Sequence, residues 1–213
     1  MDEKGFMIGR TNKQMLIIPV EHLQAGGDTL KALIDGSREW VTLVACICAD
    51  GTAVAPALIF KGQSGSVNAN WASEHVTGDE FFMTTSEKGW TNDELGMAWL
   101  TQVFIPHIKA KAPNARRTLL IVDGHSSHAN FAFFKKCHEH GILVEILPPH
   151  STHRLQPLDI GLFAPLSTNY TTKVTELCLN WEARIAMSKS LFFMTSPAAW
   201  KSTVTAHNIK GAF

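Results

Sequence analysis

Two short apolar runs on either side of one helical segment constrain the fold most. Residues 119–122 and 142–147 are uninterrupted apolar runs, apart from one glutamate, and Pro148 ends the second run. Residues 131–140 between them have the pattern of a helix that ends at Gly141. Short continuous apolar runs are typical of strands that are covered on both faces. Strand, helix, strand in this order predicts a right-handed parallel crossover in an α/β domain.

A hairpin is predicted upstream of this unit. Residues 40–49 and 53–60 are apolar and rich in β-branched side chains, and Asp50-Gly51 between them is a strong hairpin signal. Pro56 interrupts the second run and predicts an edge strand or a bulge, because proline cannot donate a ladder hydrogen bond. A hairpin followed by strand, helix, strand and then by helices predicts a mixed sheet.

Helix signals follow the hairpin. Residues 91–94 (Thr-Asn-Asp-Glu) predict a capping box. Leu95, Trp99 and Val103 continue at a spacing of four residues, which indicates one buried helical face. Pro157 suits the first position of a further helix, and the residues after it are mainly helical in pattern.

Composition excludes several classes of protein. The chain has 213 residues, of which 45% are hydrophobic and 18% charged, and this indicates a globular protein. No apolar stretch approaches the roughly 20 residues of a membrane span, and the four cysteines do not predict a disulfide framework. We therefore expect a protein inside the cell with no membrane partner. The 19 Lys and Arg balance the 19 Asp and Glu, so nucleic acid is not the partner or the main binding module lies outside this chain.

Three aspartates are the candidate functional residues. Asp123 ends the first apolar run, where functional groups gather at the carboxyl ends of parallel strands. Asp159 falls in the first turn after Pro157, and Asp2 opens the chain. Each aspartate alone is explained equally well as a turn residue, a helix cap or a chain terminus. Together, three carboxylates would suit Mg²⁺ or Mn²⁺ and the hydrolysis or transfer of phosphodiesters.

The segments around these aspartates resemble one family. Residues 2–6 (DEKGF), 121–128 (IVDGHSSH) and 148–159 (PPHSTHRLQPLD) are similar to the DDE-superfamily endonuclease domain. The similarity is greatest to pogo-like transposases of the mariner superfamily, which include jerky, Tigger and centromere-protein-B relatives. Further segments that resemble this family are residues 40–62, 89–107 and 199–213.

The resemblance implies a ribonuclease-H-like fold, with a mixed sheet flanked by helices, and the cutting and joining of DNA with Mg²⁺ or Mn²⁺ by a two-metal mechanism. Asp2, Asp123 and Asp159 match the family's first, second and third metal-binding acids. The third acid is Asp instead of Glu, which is the pogo-like variant. DNA is the implied partner, a homodimer is compatible, and the implied location is the nucleus.

Two departures from the family pattern shape the expected domain. No helix-turn-helix DNA-binding region precedes Asp2, and the strand that should hold Asp2 is reduced to a stub. We therefore interpret residues 1–213 as a partial, N-terminally truncated DDE domain. A catalytically silent DNA-binding or chromatin protein derived from a transposase is the alternative. The full triad favours an enzyme, and the missing strand and module favour the silent protein.

Histidines cluster near the candidate site. His125 and His153 are expected at its rim, where they would contact carboxylates or DNA, and Arg154 is expected to contact phosphate. Two H-x-x-H pairs with Cys137 leave a zinc site or an unrelated metal-dependent hydrolase as a third hypothesis. Their spacing matches no four-ligand zinc pattern, which favours histidines at the rim.

Overall fold

The fold is that of a computed structural model, which describes residues 1–8, 39–63, 65, 67, 81–124, 130–180 and 189–213. Within these residues the strands form one sheet of four strands and one of two. The α/β class is therefore confirmed, and the ribonuclease-H-like prediction is consistent with it. The predicted sheet is divided into two, and most of residues 61–80 lie outside the described residues.

The four-stranded sheet is mixed. Its strands are β1 (Asp2–Met7), β2 (Trp40–Ala45), β3 (Ala57–Lys61) and β4 (Phe82–Ser86), in that order. β1 pairs antiparallel with β2, β2 antiparallel with β3, and β3 parallel with β4. The predicted hairpin is confirmed as β2 and β3.

The edge position predicted from Pro56 is wrong, because β3 lies between β2 and β4. Pro56 precedes the first residue of β3, so its missing N–H removes no bond from the ladder. Its carbonyl accepts a hydrogen bond from the Phe82 N–H at 3.0 Å, where β4 begins.

The two-stranded sheet contains β5 (Thr118–Val122) and β6 (Ile142–Ile146), which pair in parallel. The chain passes between these strands through helix α3 (Phe131–Glu139), as the apolar runs predict. Gly141 follows the helix with φ +68°, a backbone conformation that glycine adopts without strain. The strand-helix-strand unit is confirmed, and its right-handed sense stays a prediction.

A helical layer covers one face of the first sheet. It consists of α1 (Asp93–Trp99), a π-helical turn (Leu100–Phe104) and α2 (Ile105–Lys111). The N-cap is Asn92, whose side chain accepts a hydrogen bond from Leu95 N–H at 2.8 Å, so the cap lies one residue later than a box that begins at Thr91. The Thr91 hydroxyl instead donates to the Glu3 carboxylate, which ties the start of this layer to β1.

The C-terminal helices cover the opposite face. They are α4 (Thr152–Leu155), a π-helical turn (Leu158–Leu162), α5 (Phe163–Asn180), α6 (Lys189–Thr203) and α7 (Ala206–Ala212). Neighbouring residues of β2 belong to different hydrophobic clusters: Leu43 packs with Leu166 and Phe192 of these helices, whereas Val44 packs with the cluster around Trp99. Alternation along the strand thus gives the first sheet a core on each face.

Candidate functional site

Asp2 is held by the edge strand of the first sheet. It pairs with Ala45 of β2, only 6% of it is exposed, and the Glu3 N–H donates to its Oδ1 at 2.7 Å. One residue earlier, the Met1 ammonium donates to the Ile121 carbonyl of β5 at 2.8 Å. This bond joins the two sheets directly beside Asp2.

Asp123 is held by the second sheet. It directly follows Val122, the last residue of β5, and is half-buried. The Val122 carbonyl accepts a hydrogen bond from Leu147 N–H at 3.0 Å, so the ladder with β6 extends to the residue before Asp123. The aspartate therefore lies at the carboxyl end of a parallel strand, as predicted.

Asp159 is held by the C-terminal helices. It lies exposed in the first turn of the π-helical segment that follows Pro157. Isolated π-helical turns are uncommon and are frequent at functional sites. Gly161 allows this turn to pack closely on α7, because a Cβ at Gly161 would lie 2.6 Å from the Cβ of Ala212. The predicted helix start and the place of Asp159 in its first turn are confirmed.

Asp2 is affected by the charges of the other two aspartates. Burial, with smaller effects of the negative charges of Asp159 and Asp123, raises the pKa of Asp2 from an ordinary 3.8 to about 7. The Glu3 N–H and the Met1 ammonium act in the opposite direction and lower this pKa. The fold therefore places Asp123 and Asp159 within electrostatic reach of Asp2.

The donor set fits a divalent cation in its chemistry. Carboxylate oxygens are the ligands that Mg²⁺ and Mn²⁺ prefer, and a cation would offset the repulsion that Asp123 and Asp159 exert on Asp2. Among the described residues, however, no three His, Cys, Asp or Glu side chains lie close enough together to form a ready-made metal cluster. Coordination of one ion by all three acids would require them to move closer.

The roles predicted for His125, His153 and Arg154 stay predictions. His125 lies outside the described residues. His153 and Arg154 are exposed on α4, which leads into the turn that bears Asp159. Cys137, a candidate zinc ligand, is fully buried in the core around Phe133, and burial raises the pKa of its thiol to about 11.

Lys4 near the site was not singled out from the sequence, whereas His150 belongs to one of the two H-x-x-H pairs. The Lys4 ammonium lies 5.7 Å from the centre of the Phe163 ring, so a cation sits two residues from Asp2 on the same face of β1. His150, between β6 and α4, has φ 60°, an unusual conformation for a residue other than glycine. The alternation along β1 was a signal for Lys4, whereas Pro148-Pro149 was at most a signal for a turn at His150.

A family model described as DDE superfamily endonuclease matches residues 37–213. This range includes Asp123 and Asp159 and begins after Asp2. It covers more than half of the chain, and the chain belongs to this family. Within it, the similarity to a pogo transposable element described next supports the predicted pogo-like type.

Two curated relatives match the chain. A protein of Cochliobolus lunatus named MFS-type transporter clz9 is 37% identical over 212 residues, which are 100% of this chain and 22% of that protein. A protein of Homo sapiens named Pogo transposable element with ZNF domain is 26% identical over 156 residues, which are 72% of this chain and 10% of that protein. The chain thus spans less than a quarter of either relative. No solved structure matches it.

Among the described residues, no helix is both long enough and apolar enough to cross a membrane.

Proposed function

We propose that residues 1–213 form a partial DDE endonuclease domain that binds DNA and cuts or joins its phosphodiesters. Asp2, Asp123 and Asp159 would hold Mg²⁺ or Mn²⁺. The observation that supports this proposal is that Asp2, whose pKa is raised mainly by burial, is also affected by the negative charges of Asp159 and Asp123 on two other elements. A turn residue, a helix cap and a chain terminus have no reason to share one environment, whereas a two-metal site requires it.

The chain's own residues would divide the work of binding and orientation. Asp2 is oriented by the Glu3 N–H and by burial, so its carboxylate has little freedom. Asp123 and Asp159 approach from the second sheet and from the π-helical turn. Bound divalent ions would activate the attacking oxygen and stabilise the leaving one.

Several groups around the acids would contact DNA. Lys4 lies on the Asp2 face of β1, and His153 and Arg154 are exposed on α4. Together with His125 they would bind backbone phosphates. The pogo-type relative makes DNA the substrate that best fits the family, with the nucleus as the location and a homodimer as a compatible state.

A plasmid-nicking assay with Mg²⁺ or Mn²⁺ tests catalysis. We expect nicking by the wild type and background levels for Asp123→Asn and Asp159→Asn, because each change removes an anionic ligand at nearly constant shape. Glu94→Gln, an exposed acid in the first turn of α1, is the matched control and should nick as the wild type does. Equal nicking by all four proteins would refute the proposed site.

A catalytically silent DNA-binding protein is the second candidate. The lack of a ready-made cluster of three ligands among the described residues favours it. It predicts DNA binding that is unchanged by chelation of divalent ions and no nicking with either metal. Binding that requires Mg²⁺ or Mn²⁺ and is lost in Asp159→Asn would favour the enzyme.

A further inference from the structure

The zero net charge of the chain conceals an uneven distribution of charge. Between Glu94 and Glu139 the one acid is Asp123, whereas six of the 19 Lys and Arg fall in this stretch. Two of the six have acidic partners, because Lys111 pairs with Asp50 and Lys136 pairs with Glu139. The other four are exposed, and among the described residues no acid lies within ion-pair distance of them; they are Lys109, Arg116, Arg117 and Lys135.

These four residues, called the basic face below, lie at one end of the second sheet. Lys109 is in the last turn of α2, Arg116 and Arg117 directly precede β5, and Lys135 is on α3. Gly141 brings the arginines against the end of α3. A Cβ at Gly141 would lie 2.9 Å from the Arg116 carbonyl oxygen, and the Gly141 carbonyl accepts a hydrogen bond from Thr118 N–H at 3.0 Å.

The basic face and the candidate acids lie at opposite ends of β5. Arg117 precedes Thr118, the first residue of the strand, and Asp123 follows Val122, the last. Six steps of about 3.3 Å each place roughly 20 Å between the backbones of Arg117 and Asp123. A phosphate that the arginines hold is therefore a different phosphate from one beside the acids.

Helix geometry explains only part of the basic face. Lys109 lies in the last turn of α2, where a cation offsets the partial negative charge of the helix end. This reason does not apply to Arg116 and Arg117, which are in a loop, or to Lys135, which precedes the last turn of α3. Cations that lie together without acids repel each other, and a bound anion would remove this repulsion. Guanidinium groups match phosphate geometry well.

We propose that the basic face binds the phosphate backbone of a DNA segment remote from the point of cutting. Arg116 and Arg117 would make the central contacts, with Lys109 and Lys135 on either side. At about 3.4 Å per base pair, a separation of roughly 20 Å places these contacts about six base pairs or more from the acids. The contacts would be independent of base sequence, because phosphates carry no direct sequence information. The choice of DNA as the anion rests on the proposed function.

The surroundings of the arginines favour DNA over an acidic protein. Protein interfaces are usually anchored by large side chains such as Trp, Tyr or Phe. Among the described residues, none of the exposed large hydrophobic side chains belongs to residues 109–117. The residues between Lys111 and Arg116 are Ala, Pro, Asn and Ala, which leave room for a duplex to approach.

Fluorescence anisotropy in EDTA measures this binding without a contribution from bound metal. With a labelled duplex of about 30 base pairs at about 0.1 M salt, Arg116→Ala/Arg117→Ala should lower the affinity by roughly tenfold. The slope of log affinity against log salt should become shallower by about 2, one for each lost phosphate contact. Arg116→Lys/Arg117→Lys keeps both charges and should keep the slope.

The matched control removes two exposed cations elsewhere. Lys61→Ala/Lys88→Ala, at the end of β3 and after β4, should leave the slope unchanged. Equal losses in the two alanine variants would show that net charge alone decides binding, and an unchanged slope in Arg116→Ala/Arg117→Ala would show that the arginines make no contact. Either result would overturn the proposal.

Two further measurements separate this surface from catalysis and from another partner. Arg116→Ala/Arg117→Ala should nick plasmid at saturating protein whenever the wild type does, and selective loss of nicking would place the arginines in the catalytic site and overturn a separate surface. If the wild type does not nick, the proposed catalysis fails, and binding in EDTA still decides the role of the basic face. Displacement of the duplex by poly-L-glutamate as readily as by unlabelled duplex, at equal charge concentration, would assign the face to an acidic protein and overturn DNA as its partner.

Discussion

The two sheets differ in how they are covered, although each contributes an acid to the candidate site. In the first sheet, β2 and β3 are buried almost throughout and helices pack on both faces. In the second sheet, one face joins the core around Phe133, whereas Leu119 is 60% and Leu143 is 48% exposed. Asp2 therefore stands on a fully covered sheet and Asp123 on a half-covered one.

The three acids are held in different ways. Asp2 is fixed by burial and by the β1–β2 ladder. Asp123 follows β5, which is joined to the first sheet by the Met1–Ile121 bond and by a shared core that includes Val44. Asp159 is exposed on a turn whose neighbouring residue Leu158 is buried against the first sheet.

The largest expected effect is a difference in how much substitutions in the two sheets lower the free energy of unfolding. Phe60 of β3 is fully buried and stacks on Phe193 with 4.9 Å between ring centres. Phe60→Ala should lower the free energy of unfolding by about 3–5 kcal/mol, because it removes apolar contacts and leaves a cavity. Leu119→Ala on the exposed face should change it by about 0.5 kcal/mol or less. Chemical denaturation measures both changes. Similar losses of stability in the two variants would contradict the difference in burial between the two sheets.

The next effect concerns pH and Asp2. A carboxyl whose pKa is higher in the folded than in the unfolded protein stabilises the fold when it is protonated, and this contribution is lost as the pH rises. For Asp2 the loss should fall between about pH 4 and pH 7, and 1.36 kcal/mol per unit sets its upper limit at about 4 kcal/mol. Asp2→Asn keeps the acceptor for Glu3 N–H and cannot ionise.

Metal-free Asp2→Asn should therefore be more stable than the wild type at about pH 8 and should match it at about pH 4. Thermal unfolding at both pH values measures this difference. If the variant and the wild type were equally stable at both pH values, the ionisation of Asp2 would not destabilise the fold, contrary to its burial near two other carboxylates.

A smaller effect tests the packing of the turn that bears Asp159. Gly161→Ala should cost about 1–3 kcal/mol, because its Cβ would meet the Cβ of Ala212 at 2.6 Å. Gly211→Ala in α7 is the matched control: nothing lies within 4 Å of its Cβ, and alanine should gain about 0.5–1 kcal/mol in a helix. Effects of equal sign in the two variants would contradict the close packing of the π-helical turn.

Local sequence patterns predicted the secondary structure correctly where a continuous apolar run or a terminating glycine was sufficient to define the element. Residues 118–122 and 142–146 form strands because continuous apolar runs suit burial, and the α3 helix ends before Gly141 as expected. Of the two alternatives predicted from Pro56, the bulge agrees with the structure, because the register shifts by one residue between Val44↔Ala57 and Ile47↔Ala53, whereas the edge position is wrong. Strand β4 (FMTTS) was missed, since it has little apolar character and depends on pairing with β3.

The sequence named candidate acids for the site but not their geometry. The motifs around Asp123 and Asp159 lie within the range that the family model matches, and the roles of these acids stay predictions. The pairing of Asp2 with Ala45 and the Met1–Ile121 bond, which spans 120 positions, are contacts between distant residues that no local pattern encodes. The alternation along β1 indicated the face of Lys4, but its contact with the Phe163 ring depends on the packing of the C-terminal helices.

Metal binding by the acids tests the central claim most directly. Titration with Mn²⁺, followed by the loss of the free-ion electron paramagnetic resonance signal, should show binding by the wild type and by Glu94→Gln. Affinity should fall by roughly tenfold or more in Asp123→Asn and in Asp159→Asn, because residues from both regions would hold the same ions. Equal affinity in all four proteins would contradict the account.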